Sequence, residues 1–157
     1  MDIEEYRKQF IDELRFNAEH EGTEPETQFI EKYLSDLEEI GELNDPIPMS
    51  VEMRGSRNRL LAFDAYAYDE ADGALILIAS DFTNERDSTP TLTNSRIEDI
   101  YTHMLNFLDE CVQGNISKYC DDSDPALIIA NEFRKKIGKG LLSTEILRFK
   151  FFILSNA

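Results

Sequence analysis

Residues 60–82, LLAFDAYAYDEADGALILIASDF, decide the fold, because two apolar runs flank an acidic turn in this stretch. The first run, Leu60–Tyr68, predicts a strand, and the Asp72-Gly73 dipeptide is typical of a hairpin turn. The second run, Ala74–Phe82, is apolar on both faces of a strand. That pattern predicts a central strand that is covered on both sides. A β-hairpin at the centre of a sheet is therefore the first expectation.

Amphipathic helices lie on both sides of this hairpin in the sequence. Apolar stripes at helical spacing predict two helices before it and one after it, and Asp124 followed by Pro125 predicts the start of a fourth. Helix starts are indicated by the capping-box spacings Thr23–Glu26 and Ser95–Glu98, and by Asp124 before Pro125. The predicted elements are helices from about Ile3 to His20, Thr23 to Gly41, Ser95 to Val112 and Asp124 to near Lys139-Gly140, and strands at Met49–Met53, Leu60–Tyr68, Ala74–Phe82 and Ile146–Leu154.

The order of these elements, α, α, β, β, β, α, α, β, places helices on both faces of one sheet. It predicts a single α/β domain over residues 1–157, with a mixed sheet flanked by helices. Apart from an extra N-terminal helix, the order is that of the restriction-endonuclease-like αβββαβ core. Because a natural chain seldom ends directly on a core strand, we expect these residues to be the N-terminal part of a longer chain.

The acidic composition narrows the range of partners. The 157 residues contain 32 acidic and 16 basic side chains, for a formal net charge of −16. A broad basic face for nucleic acid or anionic lipid is therefore disfavoured. Residues 1–45 hold 15 acidic and 4 basic residues, so most of the excess lies on the solvated faces of the first two predicted helices. This charge weakens a nucleic-acid role without excluding it.

Several sequence features bear on the compartment. No apolar run approaches the roughly 20 residues that a membrane span needs. The acidic N-terminus lacks the basic and then apolar pattern of a secretory signal. Cys111 and Cys120 form no Cys-x-x-Cys pair and are expected to be reduced thiols. These features predict a cytoplasmic protein with no membrane contact.

Two aspartates stand out as candidate catalytic and metal-binding residues. Asp64 lies inside the first apolar strand of the hairpin and Asp81 lies at the end of the second. A carboxylate in a buried strand is costly unless it is paired, hydrogen-bonded or bound to metal. Restriction-endonuclease-like enzymes place an Asp and an acid-x-Lys on these strands, where the carboxylates hold Mg²⁺ or Mn²⁺. Asp64 and Asp81 are therefore candidate metal ligands, and Glu26 on the second helix is a candidate third carboxylate.

The same comparison reveals a departure from an active nuclease. At the position of the acid-x-Lys motif this chain has Ala79-x-Asp81, and no lysine occurs between Lys32 and Lys118. One alternative is that the two aspartates are hydrogen-bonded structural acids near strand ends. Another is that the fold is a decayed nuclease retained for binding.

Two groups of basic residues are candidates for phosphate contacts. Arg54, Arg57 and Arg59 form one group, before the hairpin. The other, within residues 132–150, consists of Arg134, Lys135, Lys136, Lys139, Arg148 and Lys150. The ordinary alternative for such residues is a solvated helix end that complements the helix dipole.

Several segments resemble a known family when taken together. They are Glu5-Tyr6-Arg7, Phe29 to Gly41, residues 62–82 (AFDAYAYDEADGALILIASDF) and Phe151-Phe152-Ile153-Leu154-Ser155-Asn156. This set, of which the hairpin is the most specific part, resembles the N-terminal domain of the abortive-infection phage-resistance (AIPR) family. The resemblance runs through nearly the whole chain. It implies a bacterial protein with a role in anti-phage defence and a longer polypeptide, but it supplies no catalytic residues.

These observations lead to one functional expectation and two alternatives. The expectation is an interaction or regulatory domain with a degenerate nuclease-like core, whose partner is another protein or the rest of its own longer chain. The first alternative is a metal-dependent nuclease that uses Asp64 and Asp81. The second is a dimerisation domain that pairs two copies through an exposed apolar stripe of the first helix.

Overall fold

The computed structural model describes residues 2–87, 90–138 and 145–156, which form one four-stranded sheet with helices on both faces. In chain order the elements are α1 (Ile3–Glu21), α2 (Pro25–Glu39), β1 (Ile47–Arg54), β2 (Leu60–Asp69), β3 (Ala74–Asp81), α3 (Asn94–Val112), α4 (Pro125–Ile137) and β4 (Arg148–Ser155), with short 3-10 turns at Ser56–Asn58 and Ile116–Lys118. The predicted α/β class and the order of the elements are confirmed.

The strands lie in the order β1-β2-β3-β4. The first three strands are antiparallel neighbours, whereas β4 runs parallel to β3. A parallel neighbour needs a long crossover connection, and the segment that contains α3 and α4 provides it. Residues Ala74 to Ala79 of β3 are all buried. The sheet is therefore mixed and has β3 as a strand covered on both sides, as the apolar run predicts.

Two hydrophobic cores occupy the two faces of the sheet. On one face Phe63 of β2 packs with Phe107 of α3 and Phe133 of α4, and all three rings are at most 1% exposed. On the other face Phe29 of α2 and Leu14 of α1 pack with Ile78 of β3. Because β2 and β3 contribute to both cores, these two strands hold the two layers of helices together.

Both predicted capping boxes are wrong. The N-cap of α2 is Glu24, because Pro25 takes the first helical position, and the Thr23 hydroxyl accepts a hydrogen bond from the Gln28 side chain instead. The N-cap of α3 is Thr93, whose hydroxyl accepts from the backbone N–H of Arg96, so Ser95 lies inside the helix. The predicted cap at Asp124 is confirmed.

A capping box occurs at a third place, where no prediction had been made. At the start of α1, Asp2 caps the backbone of Glu5, and the Glu5 side chain returns the contact to the Asp2 backbone. The capping-box spacing alone does not determine which of several neighbouring polar residues is the N-cap.

Several elements have bounds that differ from the prediction. β1 begins at Ile47 and includes Pro48, which is tolerated because β1 lies at the edge of the sheet. β4 begins at Arg148, later than predicted, and α4 ends at Ile137, with Gly138 as its C-cap. The predicted end at Lys139-Gly140 lies outside the described residues. Among the helices of the described part, none is long and apolar enough to cross a membrane.

Candidate functional site

Asp64 lies at an irregularity of the sheet. The β1–β2 register shifts between Pro48 and Val51, opposite this residue. Phe63 and Tyr66 of β2 then pack in the same core, although residues three apart on a regular strand point to opposite faces. Ala65, between them, packs in the other core. Asp64 therefore stands where the strand changes the face that its side chains present.

The Asp64 carboxylate connects β2 to β3 at this irregularity. Its Oδ2 accepts a hydrogen bond from the backbone N–H of Ser80 at 2.7 Å and one from the Ser80 hydroxyl at 3.1 Å. The regular β2–β3 register extends only from Asp69 and Ala74 to Ala65 and Ile78. Beyond that register, the side chain of Asp64 supplies the contact between the two strands.

Glu26 reaches the same serine from the helical layer. The Ser80 hydroxyl lies 3.0 Å from Glu26 Oε1, so it stands between a carboxylate of α2 and a carboxylate of β2. A hydroxyl carries one proton and donates it to one acceptor at a time. The Ser80 hydroxyl therefore donates its proton to one of the two carboxylates or shares it between them, with Glu26 and Asp64 both close to the same oxygen atom. The structure thus brings together Glu26 and Asp64, two of the three predicted site residues.

The surroundings of Asp64 disfavour its charged form. Burial raises the pKa of the Asp64 carboxyl above 3.8, and the nearby carboxylates of Glu26 and Glu52 raise it further. The two hydrogen bonds from Ser80 oppose this rise, because they stabilise the ionised form. Burial has the larger effect, so the Asp64 carboxyl holds its proton more tightly than an ordinary aspartate.

Asp81, the third predicted residue, has different partners. Its Oδ1 accepts a hydrogen bond from the Arg96 guanidinium of α3 at 3.0 Å, and its Oδ2 lies 3.5 Å from the Ser155 hydroxyl of β4. Its side chain is 21% exposed, whereas that of Arg96 is 50% exposed. Asp81 therefore joins β3 to α3 and β4, while Asp64 and Glu26 meet at Ser80.

A cavity of about 180 Å³ opens beside Asp64. Residues of β1, β2, β3 and α3 line it: Glu52, Leu60, Ala62, Phe63, Asp64, Ala79, Ser80, Arg96, Ile100 and His103. Burial lowers the pKa of His103, and the nearby Arg96 and Arg54 lower it further against the opposing effect of Asp99. The wall thus combines two carboxylates with one guanidinium and an imidazole whose neutral form is favoured.

The sequence analysis missed four residues of this site, namely Ser80, Glu52, Arg96 and His103. Ser80 next to Asp81 in an otherwise apolar strand was the one signal available for it. Within residues 2–87, 90–138 and 145–156, no group of three or more His, Cys, Asp or Glu side chains has the spacing to hold a metal ion.

Many of the predicted basic residues are engaged by acidic partners. Arg59 contacts the buried Glu110 at 2.7 Å and Asp109 at 3.1 Å. Lys150 pairs with Asp72 at 2.9 Å, and Arg148 pairs with the same aspartate at 3.0 Å. Lys136 pairs with Glu145 at 3.3 Å, whereas Lys139 lies outside the described residues. These ion pairs reduce the charge that either basic group offers to a phosphate.

Comparison with known proteins gives one match. The family model described as "Abortive infection phage resistance protein N-terminal domain" matches residues 29–157. No curated protein and no solved structure matches the chain significantly. The matched range contains the whole sheet and the helices α3 and α4, together with most of α2. The chain belongs to the family of abortive infection phage resistance protein N-terminal domains.

Proposed function

We propose that this chain is an interaction or regulatory domain of a bacterial anti-phage protein, built on a nuclease-like core whose site is degenerate. In this proposal it is the N-terminal part of a longer cytoplasmic polypeptide, and it contacts another protein or the rest of its own chain. Membership of the phage-resistance family supports the role in defence. The order of helices and strands supports the comparison with a nuclease core.

The observation that carries the proposal is the pairing of Asp64 with Ser80. Both hydrogen bonds, at 2.7 and 3.1 Å, end on the same carboxylate oxygen, Oδ2, and they close the gap between β2 and β3. Asp81 is also engaged, by Arg96. These partners support a structural role for Asp64 and Asp81 that needs no metal ion. Asp81 stands at the position of the motif lysine, and its ion pair with Arg96 of α3 supports the same conclusion.

One specific observation favours the second candidate, a metal-dependent nuclease. The Ser80 hydroxyl has two carboxylate oxygens within 3.1 Å, and a cation near Glu26 and Asp64 would relieve their repulsion. Carboxylate and hydroxyl oxygens are ligands that Mg²⁺ and Mn²⁺ prefer. In that case Glu26 and Asp64 would hold the ion, with Asp81 as the further ligand that the sequence predicts. A bound metal ion would activate water and stabilise charge on a phosphodiester.

Cleavage assays separate these two candidates. The purified chain is incubated with supercoiled plasmid, single-stranded DNA and RNA, each with Mg²⁺, Mn²⁺ or EDTA. The proposal predicts no cleavage above that of the variant Asp64→Ala, which controls for a contaminating nuclease. Metal-dependent cleavage that disappears in Asp64→Ala and also in Glu26→Ala would establish the nuclease instead.

A further inference from the structure

An apolar groove lies between α1, α2 and the C-terminal end of β4. Tyr6 and Phe10 of α1 form part of its wall, with their rings stacked and their centroids 6.3 Å apart. Tyr33 of α2 meets Phe10 edge-on, with centroids 6.4 Å apart. The groove measures about 200 Å³, and two of its residues are largely exposed, Tyr6 at 62% and Ile3 at 79%. Apolar residues that are exposed singly need no explanation, whereas a cluster of them in a groove is typical of an interface.

The helical layer that carries this groove is strongly acidic. All fifteen acidic residues of the acidic layer, residues 1–45 with α1 and α2, are exposed. Its four basic residues are less accessible, since three of them are buried or half-buried: Arg7, Lys8 and Arg15. The fourth, Lys32, pairs with Asp36, and Arg86 from outside the layer pairs with Asp12. All four of these paired side chains are at least 41% exposed, and exposed pairs of this kind are weak. The acidic layer therefore presents a surface whose negative charge is largely uncompensated.

We propose that this groove binds a basic amphipathic helix of a partner protein, with apolar side chains against the aromatic wall and Lys or Arg side chains over the acids beside it. The proposal rests on the interaction role and deepens it by naming the surface and the chemistry of the partner. An amphipathic helix that lays its apolar face into a hydrophobic groove is a recurrent mode of recognition. Acids flank the aromatic wall on both helices, because Glu13 follows Phe10 by three residues and Asp36 follows Tyr33 by three. Residues at this spacing are neighbours on a helix surface.

Charge selects this occupant over the other candidates. A second copy that offered the same groove would bring two acidic layers together, and anionic lipid or nucleic acid would meet the same repulsion. Arg7 also lines the groove, but it is 6% exposed and its guanidinium donates to the main-chain carbonyls of Asn156 and Glu85 at 3.0 and 2.6 Å. An approaching cation therefore meets exposed carboxylates, while the one cation of the wall is buried against backbone oxygens. Because α1 precedes the matched residues 29–157, family membership alone does not name this partner.

Fluorescence anisotropy with a labelled synthetic peptide tests this proposal. The probe is a helical peptide of Leu and Lys, about 18 residues or five turns long, with every Leu on one face. We expect saturable binding to the 157-residue chain with a Kd of about 1–100 μM at about 150 mM salt. Tyr6→Ser should weaken binding about tenfold or more, as truncation of an aromatic anchor does. Phe16→Ser removes a ring that is 69% exposed on the same helix but outside the groove, so it is the matched control and should leave binding unchanged.

Two comparisons separate the groove from the overall acidity of the chain. A peptide of the same composition, scrambled so that Leu and Lys form no separate faces, should bind at least about tenfold more weakly, since it offers no apolar face to the groove. Glu13→Gln combined with Asp36→Asn should weaken binding about fivefold, as expected for the loss of two exposed charge pairs. Glu19→Gln combined with Glu24→Gln removes the same charge near the connection of α1 and α2, away from the groove, and should leave binding unchanged.

Thermal unfolding of each variant shows whether it is folded, and Ile3→Ser offers a second disruption of the groove if Tyr6→Ser is not. No saturable binding, equal binding of both peptides, or binding that Tyr6→Ser and Ile3→Ser leave intact would overturn the proposal. A dimer in sedimentation velocity that Tyr6→Ser dissociates would overturn it in favour of a second copy. Loss of peptide binding in the longer polypeptide would assign the groove to a segment of that chain instead. The cleavage assays test the degenerate core independently of peptide binding, so the two proposals fail separately.

Discussion

Asp64→Ala is the substitution that best separates a structural aspartate from a catalytic one. It removes the acceptor of two hydrogen bonds from Ser80, one from the backbone at 2.7 Å and one from the hydroxyl at 3.1 Å. The hydroxyl keeps Glu26 as a partner, whereas the backbone N–H lies in the sheet between β2 and β3 and loses its acceptor. A part-buried donor without a partner costs about 1–3 kcal/mol.

Opposing effects offset part of this loss. Removing the carboxylate ends the cost of burying its charge and the repulsion from Glu26 and Glu52, both of which raise the pKa of Asp64. Because the backbone N–H of Ser80 still loses its acceptor, we expect a net decrease in the free energy of unfolding of about 1–2 kcal/mol, or roughly 2–4 °C in Tm for each kcal/mol in a domain of this size. Urea and thermal unfolding measure it. Asp81→Ala is the matched control, because its ion pair with a half-exposed Arg96 contributes about 1 kcal/mol or less.

The opposite sign would refute the structural role. Catalytic carboxylates are commonly held at a cost to the fold, so their removal often stabilises a protein. If Asp64→Ala raises the free energy of unfolding, the aspartate is maintained for chemistry or ligand binding, and the hydrogen bonds to Ser80 are incidental. If Asp64→Ala and Asp81→Ala lower the free energy of unfolding equally, contacts other than the hydrogen bonds of Asp64 to Ser80 hold β2 and β3 together beyond their regular register.

Three further predictions follow from buried groups. Because the folded pKa of Asp64 is raised, wild type should lose stability relative to Asp64→Asn as pH rises above 3.8 and through the folded pKa, so the urea midpoints should diverge over that rise; a constant difference would contradict this. Glu110→Ala should cost about 1–3 kcal/mol in urea unfolding because Arg59 and the Ser56 hydroxyl lose a buried acceptor, whereas the exposed Asp109→Ala should cost about 1 kcal/mol or less; equal costs would be inconsistent with that contrast. Burial raises the pKa of the Cys111 thiol to about 12, so iodoacetamide at about pH 8 should alkylate it only after unfolding and should label the half-buried Cys120 first, as mass spectrometry would detect.

The architecture was predictable because local patterns repeat along the chain. The hairpin over residues 60–82 specifies two strands and the turn between them, and the apolar run of β3 specifies its central place. Helical stripes located α1, α2 and α3, and the Asp124-Pro125 start located α4. The caps at Thr23 and Ser95 failed because N-cap choice depends on one hydrogen bond among neighbouring polar residues, which spacing does not resolve.

The site was less predictable because it depends on an irregularity in the sheet. A regular strand would have placed Asp64 on one face, whereas the register shift opposite it lets the carboxylate reach Ser80 within the sheet. Residues from four elements, such as Glu52 of β1 and His103 of α3, then meet at one cavity. Contacts between residues that are far apart in the sequence leave no periodic pattern in it. Glu26 and Asp64 both contact Ser80, and their role as catalytic or metal-binding residues stays a prediction.

The most direct test of the proposed degenerate core is a titration of thermal stability with Mn²⁺. Wild type and Asp64→Ala are unfolded with increasing Mn²⁺, up to a concentration of about 10 mM, since a ligand that binds only the folded state raises Tm by mass action. The proposal predicts the same small, unsaturable change in both proteins. A saturable rise of several degrees in wild type that is absent from Asp64→Ala would contradict it and would identify a metal site at Asp64.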